Sequence, residues 1–264
     1  FVLSDADKRV TTRFGARGKL LGFVFGPDQR VRSVLHPGDT SIAQRAAAEI
    51  SAMETPHAFP VPYHPPVLVI PDVFSPDFCR WLIEQFETRG NEPSGTLRMS
   101  EGKMVHVTDG ETKRRRDHHV VDKDLLDAIG CRMERRVLPE IQRAYHSQIR
   151  FVEEFKIVRY DADIGGFFRP HRDNTAMGTA HRRFAMTLNL NTEDHEGGEL
   201  RFPEYGHASY RPATGEAAIF SCNLLHEATD VTKGSRYVLL SFMYDQSGQD
   251  LMERVRKAEA QRNG

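Results

Sequence analysis

The spacing of apolar residues changes twice along the chain. Residues 1–55 predict a small α/β piece: helical spacing from Ser4 to Phe14, an apolar run from Leu20 to Phe25, and a turn at Gly26-Pro27-Asp28. Alternation from Val31 to Leu35 and an Ala-rich helix from Ser41 to Met53 complete it. The next dozen residues hold five of the chain's 14 prolines. Proline fixes φ and removes a backbone donor, so 56–66 reads as an extended linker between domains. Beyond it, Val67 to Ile70 is a short buried-type strand. Ser75-Pro76 opens a helix, with serine as N-cap and proline in the first turn. Phe78, Trp81, Leu82 and Phe86 give that helix an apolar face. Leu125, Leu126, Ile129, Met133, Val137, Leu138 and Ile141 mark a second helix. Between the two, 89–121 has little periodicity, which predicts hairpins with long loops or a mobile flap.

From Phe151 the period shortens to two. Segments 154–160, 184–191, 198–202, 217–221 and 236–244 read as strands separated by Gly, Pro, Asp and Asn turns, and Met186 to Asn191 alternates strictly. Many short strands at this spacing favour a sandwich or barrel over a parallel α/β sheet. A charged helix over 249–262 closes the chain. The predicted class is mainly β with flanking helices (α+β). Its domains are a partial α/β segment at 1–55, the linker, and a domain at 67–264. The last divides into helical support at 67–150, a β core at 151–246 and the final helix.

Composition narrows the function classes. Charged residues make up 28% and hydrophobic ones 39% of the 264, as in ordinary globular proteins, and the net charge is −1. With pI near 6.9, no global field points to nucleic acid or to a membrane surface. No apolar run reaches the roughly 20 residues of a membrane helix. Cys79, Cys131 and Cys222 lie far apart, which suits a reduced cytoplasmic protein with three buried spectator thiols. Phe1 is no initiator and FVLSDADKRV no secretory signal, so the chain is expected to begin inside a longer protein.

The chemistry gathers in the β region. Phe168-Arg169-Pro170-His171-Arg172-Asp173-Asn174 contains His-x-Asp, and residues i and i+2 of a strand share a face. His226 follows at the end of the apolar strand Phe220-Ser221-Cys222. Two imidazoles and a carboxylate on one face of a metal leave three positions open, which suits iron(II) binding a bidentate co-substrate and O2 together. With 12 histidines in the chain, His-x-Asp alone is weak. Its company strengthens it: Arg236 lies ten residues after His226, at the head of a strand beyond the turn Lys233-Gly234-Ser235. A guanidinium returned to the same barrel grips a carboxylate bidentately, as a 2-oxoacid requires.

These pieces, in order, carry a resemblance. Val158-Arg159-Tyr160, Pro170 to Asn174, Thr187 to Asn191, Gly197-Gly198-Glu199-Leu200-Arg201-Phe202, and His226 to Arg236 together resemble the prolyl 4-hydroxylase-like branch of the 2-oxoglutarate and iron(II)-dependent dioxygenases. The resemblance implies a double-stranded β-helix, or jelly roll, with the metal in its mouth. It implies His171, Asp173 and His226 as iron ligands and Arg236 as partner of the distal carboxylate of 2-oxoglutarate. Tyr160 matches a position beside the co-substrate. Asn189 stands where some relatives carry a tyrosine that bonds that carboxylate, and an amide donor is a possible substitute. Phe168 is expected to pack beside the ligands, and Gly197 and Gly198 to let the next strand pass close. Fe(II), 2-oxoglutarate and O2 are the implied cofactors, with ascorbate a candidate reductant. Because Asp173 is a carboxylate, hydroxylation with release of succinate and CO2 is favoured over halogenation. The substrate stays open among peptidyl proline, an amino acid and a small molecule, and oligomeric state is not readable.

Phe1 to Asp5, Phe14-Gly15-Ala16, Gly22 to Phe25 and Pro27 to Val31 resemble the C-terminal half of a peroxiredoxin-type thioredoxin fold; no cysteine lies in 1–55. The basic block Lys113-Arg114-Arg115-Arg116 reads first as a solvated loop, with a substrate-side flap as the sharper alternative. His181, His195 and His207 have no partner spacing and read as surface residues or as supports around the site. Two other function classes compete: a binding module that keeps the fold without turnover, and a cupin-like metal dioxygenase without 2-oxoglutarate. Arg236 separates the second from the leading reading.

Overall fold

A computed structural model describes residues 8–26, 31–38, 41–53, 64–100, 103–107 and 110–262. The chain forms two compact units, Phe1–Val61 and Pro62–Gly264. In the first, strands Gly22–Phe25 and Val31–Leu35 pair antiparallel. Helix Ile42–Ala52 follows, its first turn capped by the Ser41 hydroxyl, which accepts from the Gln44 N–H at 3.1 Å. The expected turn at Pro27-Asp28, the start of the first helix before Lys8, and 54–63 of the proline-rich stretch lie outside the described residues.

The second unit is layered. Its larger sheet has eight strands, and the five central to the site run in the order Ala217–Ser221, Phe184–Asn189, Ser235–Tyr244, Lys156–Asp161 and Arg116–His119. A five-stranded sheet contains Leu200–Arg201, His226–Ala228, Phe167–His171 and Lys113–Arg114. All recorded strand pairs are antiparallel, the arrangement of a jelly roll. The larger sheet is buried on both faces. One phase of its strands, with Ile157, Met186, Leu188, Ile219 and Leu239, packs on the helices. The other phase, with Val158, Tyr160, Ala185, Val238 and Phe220, meets the smaller sheet. The alternation at 186–191 therefore does not separate core from solvent. Its polar members Thr187 and Asn189 are 6% and 2% exposed and lie on the inner, sheet-facing phase.

The helices follow from local chemistry. Ser75 caps Pro76–Thr88, its hydroxyl accepting from the Phe78 N–H at 3.3 Å. Phe78, Cys79, Leu82, Gln85 and Phe86 form the buried face; Trp81, expected there, lies at its edge and is 37% exposed. Leu125, Ile129, Met133, Val137 and Ile141 are all buried at four-residue intervals. In an α-helix each such step overshoots a full turn by about 40°, so the stripe would drift off the core. A π-helical turn at Met133–Val137 separates Lys123–Arg132 from Leu138–Tyr145 and takes up the drift. It lies just ahead of Pro139, which has no N–H to return to the preceding turn. The aperiodic region resolves into strands and a hairpin, Thr96–Ser100 with Lys103–Val107. Cys79 and Cys222 are buried, but Cys131, on the outer side of its helix, is exposed, which corrects the expectation of three buried thiols. Among the described residues no helix is long and apolar enough to cross a membrane.

Candidate active site

His171 ends strand Phe167–His171, and His226 opens strand His226–Ala228; the two residues are directly opposed across the antiparallel pair. His226 thus starts a strand of its own rather than ending the apolar one before it. Asp173 is not a strand residue either. It sits in the turn beyond His171, where its N–H donates to the Cys222 carbonyl at 3.1 Å. That turn brings the carboxylate between the rings: Asp173 lies 3.4 Å from His171 Nε2 and 3.3 Å from His226 Nε2. The three side chains form the single cluster of potential metal ligands among the described residues, with ligand atoms within 4.8 Å of one another.

The donor set fits a divalent cation. His171 Nδ1 donates to the Arg169 carbonyl at 2.8 Å and His226 Nδ1 to the Leu224 carbonyl at 3.0 Å, leaving each Nε2 lone pair for the metal. Burial raises the Asp173 carboxyl, yet the adjacent His226 and His171 hold it below the usual carboxylate range. Burial also pushes the His226 imidazole down, against the pull of Asp173. Neutral imidazole and ionised carboxylate are the forms that ligate. Phe168 stacks on the His171 ring at 3.5 Å between centroids and 18° between planes.

The cluster opens on a cavity of about 100 Å3, lined by residues of both sheets that include Arg236, Tyr160, Thr187 and Phe242. Arg236 is 4% exposed, and burial lowers its guanidinium from the ordinary range. Its recorded hydrogen bond among the described residues runs from Nη2 to Asn189 Oδ1 at 3.2 Å. A buried cation with no carboxylate bonded to it is costly, and an anionic ligand removes that cost. Tyr160 lies under it, ring centroid 5.4 Å from the guanidinium carbon. Asn189 does something other than donate to a ligand. Its amide nitrogen bonds Thr192 Oγ1 at 3.0 Å and the Pro212 carbonyl at 2.7 Å, so its oxygen is left to aim Arg236. Gly198, at φ +73°, makes room: a Cβ there would stand 2.7 Å from Arg236 Cδ.

Sequence reading missed two contributors. Lys113, Arg115 and Asp117 alternate inward, with Arg115 and Asp117 side chains 10% and 5% exposed and bridged at 2.9 Å. Arg115 lines the cavity and donates from Nη1 to Tyr160 Oη at 3.1 Å. Burial and the neighbouring Arg115 push the Lys113 ammonium down to about 7. The solvated-loop reading of this block is corrected; its period-two alternation, with an internal acid, was the available signal. The second contributor is Arg182, which clamps Glu153 and donates from Nη1 to the Asp173 carbonyl at 3.3 Å. His181 and His195 are buried rather than on the surface, whereas His207 is exposed.

Residues 155–244 match the sequence model of the 2OG-Fe(II) oxygenase superfamily. The chain is 34% identical over 103 residues to the multifunctional procollagen lysine hydroxylase and glycosyltransferase LH3 of Rattus norvegicus, covering 38% of this chain and 13% of that one. The corresponding Caenorhabditis elegans protein is 28% identical over 201 residues, covering 71% and 26%. The chain therefore spans only a small part of these relatives. Among solved structures, a Trichoplax adhaerens prolyl hydroxylase in complex with a hypoxia inducible factor oxygen degradation domain peptide fragment superposes with a TM-score of 0.51 at 14% identity. It covers 70% of this chain and 86% of that one. The superfamily implies Fe(II), 2-oxoglutarate and O2, and the matched segment contains the convergent His-Asp-His cluster and Arg236. Residues 155–244 are a 2OG-Fe(II) oxygenase domain.

Proposed function

We propose that this protein is a 2-oxoglutarate- and Fe(II)-dependent dioxygenase that hydroxylates an unactivated C–H bond of a peptidyl substrate. His171, Asp173 and His226 hold the iron, and Arg236 holds the far carboxylate of the co-substrate. The observation that carries the reading is the pairing, in one buried cavity, of a tautomer-fixed His-Asp-His cluster with a cation that lacks a carboxylate partner. Bound iron supplies activation of O2 and oxidative decarboxylation of 2-oxoglutarate to succinate and CO2. The chain's own residues do the rest. The carbonyls of Arg169 and Leu224 keep both Nδ1 atoms protonated, Arg182 steadies the Asp173 backbone, and Asn189 and Tyr160 fix Arg236. Phe168, Phe220, Leu240 and Phe242 line the cavity and exclude water from the oxidising centre. A peptidyl lysine or proline is favoured because the similar proteins include procollagen lysine hydroxylases and a prolyl hydroxylase in complex with a peptide fragment.

Three further parts belong to this reading. The cysteines form no pair, which suits a reducing, cytoplasmic setting. Ascorbate would serve as reductant of adventitiously oxidised iron. The paired strands and helix of the first unit would belong to a thioredoxin-like module, of which residues 1–55 contain no cysteine.

The test is anaerobic titration of the full chain with Fe(II) and 2-oxoglutarate, following the weak visible charge-transfer band of the chelate. The parent should form the band, and His171→Ala should not. A folded, iron-loaded parent without the band would remove the co-substrate from the reading.

A further inference from the structure

The iron chemistry leaves one sequence motif unused, the basic block Lys113-Arg114-Arg115-Arg116. Beside the metal cavity lies an open groove of about 440 Å3 lined by these four residues and Arg159, with Asp161 the acid among its lining residues. The two spaces share Arg115. The charges in the groove are not balanced. Arg115 is paired with Asp117 at 2.9 Å and Arg159 with Asp161 at 2.8 Å. Lys113 Nζ instead donates to the Gly95 carbonyl at 2.8 Å, Arg114 Nε to the Gly110 carbonyl at 2.7 Å and Arg116 Nη2 to the Asn91 carbonyl at 2.8 Å. Among the described residues, two guanidinium groups and an amine whose pKa is pushed down to about 7 thus meet neutral acceptors in one groove of a chain whose net charge is −1. Lys113 is also 7% exposed, with its ammonium 5.1 Å from the centroid of Phe168, the ring stacked on His171. Groups that are partly desolvated and, among the described residues, bonded to carbonyls are poised for a stronger, charge-assisted acceptor.

The geometry points to a peptide substrate with an acidic residue close to the residue that is oxidised. We propose that its carboxylate sits among Lys113, Arg114 and Arg116 while the target side chain passes Arg115 into the metal cavity. This rests on the oxygenase reading above and adds the substrate's charge pattern. A free small acid is a poorer fit. The metal cavity, at about 100 Å3, is too small to hold the body of a substrate as well as the co-substrate, so that body must lie outside it. An extended chain is the ligand that occupies two compartments joined at one side chain.

The experiment uses the full chain loaded with manganese(II) and 2-oxoglutarate under argon, so that binding is read without turnover. The probes are short fluorescein-labelled peptides, centred on lysine or on proline and flanked by Glu, Gln or Lys. Anisotropy should show the Glu-flanked peptides binding about tenfold or more tightly than the Gln-flanked ones, as one or two charge-assisted hydrogen bonds allow. The Lys-flanked set should bind weakest, and the preference should shrink with added salt. Arg114→Gln, at an exposed position, and the double change with Arg116→Gln should each reduce the Glu preference, with the fold checked by thermal unfolding. Equal binding of Glu and Gln peptides to the parent would overturn the proposal, as would an undiminished preference in folded Arg114→Gln. Tighter binding of a single-stranded RNA than of any peptide would also overturn it, marking the groove as a polyphosphate site. Absence of the Fe(II) chelate band in the parent would remove the oxygenase reading instead; the band without an acid preference removes this inference alone.

Discussion

Arg182 grips both carboxylate oxygens of Glu153, at 2.7 and 2.8 Å, and with its remaining nitrogen reaches the main-chain oxygen of Asp173. The guanidinium is also packed 3.7 Å from the Phe242 ring centroid, and His181 Nε2 meets the same Glu153 at 2.9 Å. A residue outside the candidate ligand set is thereby tied to the turn that presents the proposed ligand carboxylate. Glu153→Gln keeps the shape but removes the charge that fixes Arg182. Iron(II) affinity should fall about 10- to 100-fold, the usual cost of losing a ligand's support. Anaerobic iron titration checks this, and unchanged affinity in a folded variant would deny the clamp a role.

Arg236 should govern the co-substrate. Arg236→Gln should raise the KM for 2-oxoglutarate about 100-fold or more, in line with the roughly 2–5 kcal/mol lost when a buried charge pair loses one partner. Arg236→Lys keeps the charge but not the planar fork and should lose less. Steady-state succinate release against 2-oxoglutarate concentration checks both. A KM unchanged in Arg236→Gln would mean that the co-substrate's far carboxylate is held elsewhere. No succinate release from the parent at any 2-oxoglutarate concentration would favour a metal dioxygenase that needs no co-substrate.

Gly198 offers a subtler perturbation of the same contact. It combines φ +73° with a position where a Cβ would crowd Arg236 Cδ and, at 2.9 Å, Val231 Cγ2. Gly198→Ala should lower stability by about 1–3 kcal/mol and raise the 2-oxoglutarate KM without altering iron affinity. Denaturant unfolding and the two titrations separate these effects; an unchanged KM would mean that Arg236 moves aside without consequence.

His195 supplies a pH dependence. Burial and the nearby Arg236 push its imidazole down to about 4, and its buried Nε2 has no hydrogen-bond partner among the described residues. The unfolded chain takes up that proton near pH 6.5, its ordinary value, whereas the folded chain resists until about 4. Stability from this group is therefore complete above pH 6.5 and falls as pH drops towards 4. Thermal unfolding midpoints across that window should decline less steeply in His195→Gln than in the parent.

The legible and hidden parts of the site differ by what determines them. His171, Asp173, His226 and Arg236 could be singled out because their spacing along neighbouring segments encodes convergence. The strand logic used for Asp173 was nevertheless incomplete, since a turn anchored on Cys222 places it. The fold was legible from the short alternating strands and turn signals after Phe151, although in the larger sheet that alternation divides two buried faces rather than core from solvent. Arg182 and Glu153 were not, being 29 residues apart and brought together only by tertiary packing. Lys113 and Arg115 were hidden by their own neighbours: a run of four cations masks the alternation that turns two of them inward. The π-helical turn was readable in principle from the four-residue spacing and Pro139.

His171 and His226 belong to the smaller sheet, whereas Arg236 and Tyr160 belong to the larger. A dicarboxylate chelated at one end and gripped at the other is then a removable rivet through the sandwich. At a hundredfold excess over its dissociation constant such a ligand adds about 2.7 kcal/mol to the folded state. Saturation with the proposed co-substrate would thus raise the thermal unfolding midpoint of the domain, and its removal would lower it.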